Sequence, residues 1–176
     1  MRTLLLGLAA GLALATAASA EVLDSQPTGF EVGHVIEIAA PAAKVWAALG
    51  QVGAWWDSGH SFSGDAKNLT LELKPGGCWC EALPGGGDVR HMSVVFVDPG
   101  KTLVLEGALG PLQSTGAMGH MTWKVHDTGA STTLTVKYDV GGYIVGGIDK
   151  WATPVDTVIT AQAERLKHYA ETGKPQ

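Results

Sequence analysis

Residues 153–171, TPVDTVITAQAERLKHYAE, carry an amphipathic stripe. Wound at about 100° per residue, Val155, Val158, Ile159, Gln162, Leu166 and Tyr169 share one face, while Asp156, Thr160, Glu164, Lys167 and Glu171 lie opposite. Thr153 is placed as N-cap, Pro154 at the first helical position and Asp156 to complete a capping box, and Gly173 and Pro175 mark the stop. A helix of that span is roughly 27 Å long. No other segment is long enough to be its helical partner, so its apolar face needs a sheet. Gln162 stands in the middle of that face, and a buried amide needs a hydrogen-bond partner, either a backbone group it caps or the contents of a cavity.

The sheet is visible as period-two alternation. Residues 30–38 put Phe30, Val32, His34, Ile36 and Ile38 on one side and predict a half-buried first strand. AAPAAKVWAALG at 39–50 has Pro41 near its start and Val45, Trp46 and Leu49 on one face, predicting a short helix. Gly50 and Gly53 break it and leave a second short helix or turn at 52–56. Alternating runs at 68–73, 78–83, 89–97, 102–106, 116–126 and 131–140, separated by turns such as KPGG and PGGGD, then predict a meander. The sum is an α+β domain over 30–176: a curved antiparallel seven-stranded sheet, two short helices after the first strand and one long C-terminal helix. The polar residues 21–29 read as a flexible lead-in.

The amino terminus changes where this domain is placed. Met1 and Arg2 precede LLLGLAAGLALA, and Ala18-Ser19-Ala20 is an A-x-A signal before Glu21, so residues 1–20 read as a secretory signal peptide cleaved after Ala20. The mature chain is then periplasmic or secreted, with no membrane span left after cleavage. A net charge of −5 without any Lys/Arg cluster excludes nucleic acid as a partner. Six tryptophans against three phenylalanines supply large flat surfaces suited to a core or to an apolar ligand.

Candidate chemistry is sparse. Cys78 and Cys80 lie two apart in a strand and share a face. If PGGGD pairs Leu83 with Val89, Met92 falls opposite Cys80. Two small apolar side chains in the sheet interior are the leading reading, with a strained disulfide second and a soft Cu(I) site third. His34, on the apolar side of the first strand, is a core or cavity-lining residue or, alternatively, an acid–base group, as is Tyr138. Alternation places His91, His120 and His126 on the exposed faces, and His60 with Asp57 and Asp65 forms a solvated loop. Met121, Trp123, Leu134, Val136 and Tyr138, with Trp56 and Gln162, make either a filled core or a pocket. No nucleophile elbow, zinc motif or phosphate loop occurs, so no metal and no cofactor is expected. The segment GGYIVGG at 141–147 has the glycine density of a mobile gate.

AAPAAKVWAAL with WW after it, LELKPGGCW, VVFVDPGKTLVLEG and VDTVITAQAERLKHYAETGKP together resemble the SRPBCC (START/Bet v 1-like) superfamily. The closest likeness is to the branch of Hsp90 ATPase activator homologues and polyketide cyclase/dehydrase proteins. That resemblance implies a helix-grip fold, with the sheet wrapped around the last helix and an apolar cavity between them. It implies a small apolar or amphipathic ligand, lipid-like or polyketide-like, as partner. His34, Trp56, Cys80, Met92, Met121, Trp123, Tyr138 and Gln162 are the expected ligand-binding residues, with His34, Tyr138 and Gln162 orienting the ligand. A cyclase- or hydrolase-type enzyme using the same cavity and a protein-interaction module are the alternative readings, and a protein partner is left open. An exported chain would not meet cytosolic Hsp90.

Overall fold

The computed structural model describes residues 21–176, so the signal peptide expected at 1–20 lies outside the described residues. Eight antiparallel strands run in chain order as β1 (Glu21–Gln26), β2 (Gly29–Ile38), β3 (Leu69–Leu71), β4 (Cys78–Ala82), β5 (Asp88–Asp98), β6 (Thr102–Gly107), β7 (Gly116–Asp127) and β8 (Thr132–Tyr143). Between β2 and β3 lie α1 (Ala42–Gly50) and α2 (Val52–Trp55), and α3 (Ala152–Thr172) closes the chain. The sheet order is β1-β2-β8-β7-β6-β5-β4-β3, so the last strand inserts beside the second and the rest follow as a meander. Among the described residues, no helix is long and apolar enough to cross a membrane.

The alternation in β2 is realised: Phe30, Val32, His34, Ile36 and Ile38 all point inward, and ten residue pairs run from Gly29↔Gly141 to Ile38↔Thr132 on β8. The eighth strand is the correction to the expected seven. Residues 21–26 are not a flexible lead-in; they pair antiparallel with β2, from Glu21↔Gly33 to Gln26↔Gly29. EVLDSQ shows no alternation because this edge strand is exposed along almost its whole length and is held mainly by its backbone ladder.

α3 lies against β2 and packs on α1 and α2. Gly173 ends it as the sequence predicts, adopting φ 79° and donating its N–H to Tyr169 O at 2.8 Å. The start differs. A 3₁₀ turn at Asp149–Trp151 runs directly into α3, so Trp151 precedes the first helical residue and Thr153 is not a side-chain cap. The expected capping box is therefore absent, and Asp156 sits inside the helix with its side chain buried.

The buried stripe of α3 is Ala152, Asp156, Ile159, Gln162, Ala163, Leu166 and Ala170. Relative to the face expected from the bulky residues, the helix is rolled by roughly 60°, taking about 100° per residue. Alanines set this orientation: without a side chain beyond Cβ, Ala152, Ala163 and Ala170 let the helix approach the sheet closely, while Val155, Val158 and Tyr169 move to the flank, half-exposed.

Candidate functional site

The volume between sheet and α3 is a filled core. Met121, Tyr138, Leu134, Leu105 and Met92 are each at most 1% exposed. Trp123 packs edge-on against Trp55, with ring centroids 6.3 Å apart. Beneath α3, His34 Nε2 lies 2.9 Å from Asp156 Oδ1, a short contact not aligned as a hydrogen bond, and 2.8 Å from Thr160 Oγ1. The Thr160 hydroxyl donates to Asp156 O at 2.8 Å, which leaves it a lone pair for the imidazole. His34 is thus enclosed by one turn of the helix.

The open space lies at the amino-terminal end of α3. A cavity of about 460 Å³ is floored by Val155 and Val158, the side chains that the roll of the helix left off the sheet, together with the edge of the buried Ile159. One lip is the segment after α2, contributing Trp56, His60 and Phe62; the other is the turn after β6, contributing Leu109 and Pro111. Trp151 and Pro154 close the end. Of the ligand-binding residues expected from the sequence, Trp56 lines this cavity; His34, Met92, Met121 and Trp123 belong to the core, and Tyr138, Gln162 and Cys80 stand behind or outside the wall.

Three buried polar side chains hold the lips from behind. Tyr138 Oη accepts from Leu109 N–H at 3.2 Å and donates to Gly107 O at 3.1 Å, fixing the turn on the sheet side. Burial pushes this phenol far above its usual pKa, so it stays protonated and able to donate. Gln162 Oε1 accepts from Asp57 N–H at 2.9 Å and ties the other lip to α3 at its root, supported by Arg165 Nε donating to Trp55 O at 2.8 Å. Glu81, fully buried, holds the tip of the same lip: its carboxylate accepts from Phe62 N–H at 3.0 Å and Ser63 N–H at 2.5 Å, and His91 Nε2 lies 2.8 Å away. Burial alone would raise the Glu81 pKa, but the hydrogen bonds from Ser63, Phe62 and His91 outweigh it and hold the carboxyl below its ordinary value. Burial lowers His91, against the pull of Glu81, so the imidazole is neutral at pH 7.

Glu81 was passed over in the sequence, and His91 was expected on the exposed face. Both follow from one irregularity. The ladder between β4 and β5 pairs Trp79↔Met92 but Cys80↔Arg90, a bulge that leaves His91 unpaired and turns it inward beside Met92. The same register corrects the cysteines. Trp79 and Glu81 face the interior, so Cys78 and Cys80 are half-buried on the opposite face, bonded to each other across a Cα–Cα distance of 5.3 Å. Met92 therefore does not stand opposite Cys80, and among the described residues no cluster of three or more His, Cys, Asp or Glu is arranged for a metal. His120 and His126 are exposed as expected. In the loop, His60 Nδ1 is 3.5 Å from Asp57 Oδ2 on the cavity wall, while Asp65 caps a separate 3₁₀ turn through Lys67 N–H.

Comparison with known proteins agrees with this architecture. Solved structures of the same shape include a conserved protein of unknown function from Enterococcus faecalis, 16% identical with TM-score 0.59 over 86% of this chain and 77% of that one. CalU16 from Micromonospora echinospora is 14% identical, with TM-score 0.56 over 84% and 78%. A Thalictrum norcoclaurine synthase point mutant is 15% identical, with TM-score 0.53 over 89% and 97%. A search of curated proteins returns no match. The family profile described as polyketide cyclase / dehydrase and lipid transport matches residues 29–171, from the start of β2 to the end of α3. With a helix-grip fold and a family match over most of its length, the chain belongs to the polyketide cyclase / dehydrase and lipid transport family of the SRPBCC superfamily.

Proposed function

We propose that this chain is an exported binding protein for a small apolar or amphipathic molecule, held non-covalently in the cavity at the amino-terminal end of α3. The observation that carries the reading is an apolar-walled space of about 460 Å³ whose two lips are each fixed by buried polar side chains lying outside it. Walls held from behind are preorganised, so little ordering cost falls on the ligand. The exported address draws on the signal pattern of residues 1–20, and a Cys78–Cys80 bridge is in keeping with an oxidising compartment.

The test is titration with N-phenyl-1-naphthylamine, whose fluorescence rises in apolar sites, comparing wild type with Val158→Trp. Filling the floor with an indole should weaken binding at least tenfold while the far-UV circular dichroism stays the same. Equal binding by the folded variant would place the probe elsewhere and overturn the reading.

A second reading, acid–base catalysis in the same cavity, is favoured by one contact: His60 on the wall with the Asp57 carboxylate 3.5 Å from its Nδ1. Hydrogen bonding from Gly59 N–H outweighs burial and keeps Asp57 below its ordinary pKa, so it is ionised beside the ring. On this reading His60→Ala abolishes turnover of a substrate whose binding it leaves in place. Loss of both together would argue against it.

A further inference from the structure

Two buried N–H donors on residues that back the Trp56 lip have no partner among the described residues: Gln162 Nε2 and Trp79 Nε1. Gln162 is 0% exposed and Trp79 2%. The amide orientation is fixed by chemistry, because Asp57 N–H can donate only to the oxygen, which leaves the NH₂ as the open end. Both donors adjoin the same stretch of the lip. Gln162 is bonded to Asp57, and the Trp79 ring meets the Trp56 ring edge-on, with centroids 4.9 Å apart at 85°. Along α3, Gln162 is one turn beyond Val158 and Ile159, so it continues the line of the cavity floor. Leaving a buried donor unpaired costs about 1–3 kcal/mol, and this part of the structure leaves two beside one apolar cavity.

We propose that the cavity's ligand carries a neutral carbonyl group that reaches past the edge of Trp56 and accepts hydrogen bonds from Gln162 Nε2 and Trp79 Nε1, its apolar body resting on Val155 and Val158. This rests on the binding reading above and adds the ligand's chemical class to it. A carbonyl oxygen has two lone pairs for two donors. A carboxylate fits less well, since no Lys or Arg side chain lines the cavity to offset its charge. A site built to donate hydrogen bonds also discriminates against an isostere that cannot accept them, because its own polar groups then stay unpaired.

The probes are 2-acetylnaphthalene and 2-ethylnaphthalene, which have nearly the same shape and differ in a carbonyl against a methylene. In calorimetric titrations, wild type should bind the ketone at least about fivefold more tightly than the hydrocarbon. Trp79→Phe removes one donor and keeps a ring, and Gln162→Met removes the amide donor while keeping an unbranched side chain of similar length. Each should cut the ketone preference to about twofold or less, with the ketone losing far more affinity than the hydrocarbon, in protein whose unfolding transition shows it to be folded. Equal affinities for the two probes in wild type, or a full preference retained in both variants, would overturn this inference and leave the apolar cavity standing as the site. Failure of both probes to bind would overturn the cavity reading, and this inference with it.

Discussion

The two faces of α3 solve opposite problems with the same helix. Along the sheet, its alanines and Leu166 close down on β2, and the polar groups His34, Asp156 and Thr160 are gathered into a compact cluster under one turn. On the flank of its first turns, Val155 and Val158 project where no strand meets them, and the space is bounded by loops. The seam is sealed by small residues and the opening is made by larger ones. Apolar character alone therefore does not say which face of a helix is buried deepest; the size of the side chain decides how closely the helix can approach.

That contrast can be broken first at its most heavily pinned point. Glu81→Ala strands two backbone N–H groups and the His91 ring in a dry environment, and should destabilise the fold by about 3–5 kcal/mol in urea unfolding. A loss below about 1 kcal/mol would mean that water reaches this lip readily and that the lip is not fixed. Next in size is the seam. Ala163→Leu has to lift α3 off β2 and should cost about 2 kcal/mol by overpacking; an unchanged midpoint would show that the helix can roll back toward its valine face.

Smaller again is the response to acid, and its sign follows from both partners of the buried pair. Unfolded His91 takes up a proton as pH falls below its ordinary 6.5, whereas the buried ring resists it. Unfolded Glu81 protonates below its ordinary 4.5, ahead of the hydrogen-bonded folded carboxylate. In both cases the unfolded chain binds more protons, so the pair's contribution to stability falls with acid, beginning near pH 6.5. Asp139, raised by burial to about 6, contributes in the opposite direction. The urea midpoint should fall more, or rise less, between pH 7.5 and pH 5 in wild type than in His91→Gln, which cannot titrate. An equally steep profile in His91→Gln would remove the ring from the account. The smallest effect belongs to the opening itself: Val158→Ala should cost below about 1 kcal/mol, because that side chain faces the cavity and not the sheet. A larger loss would mean that the floor is part of the core.

Much of the architecture was legible in the residues, and the failures share a cause. Strand β2 and the stop of α3 at Gly173 declare themselves because alternation and a left-handed glycine are local properties. The roll of α3 was hidden because alanine contributes almost nothing to an apolar stripe, while Asp156 looks like a solvent residue until His34 is set beneath it. The inward His91 and the outward cysteines were hidden by a one-residue bulge, which reverses every face after it and leaves no mark in a period-two pattern. Gln162 was recognisable as a residue that needed a partner, and it has one in Asp57; which lip it would hold depends on a loop placed across 105 residues of sequence.

The sheet's two free ends have a consequence for how the molecule meets other copies of itself. An open sheet presents unpaired backbone at both margins, and such margins recruit further strands into aggregates. Here one margin is β3, three residues long, and the other is β1, whose ladder is interrupted between Val22 and Asp24 and whose side chains include Glu21, Asp24 and Gln26. A strand too short to template a neighbour on one side, and an irregular, charged one on the other, guard an open sheet against edge-to-edge growth without closing it into a barrel.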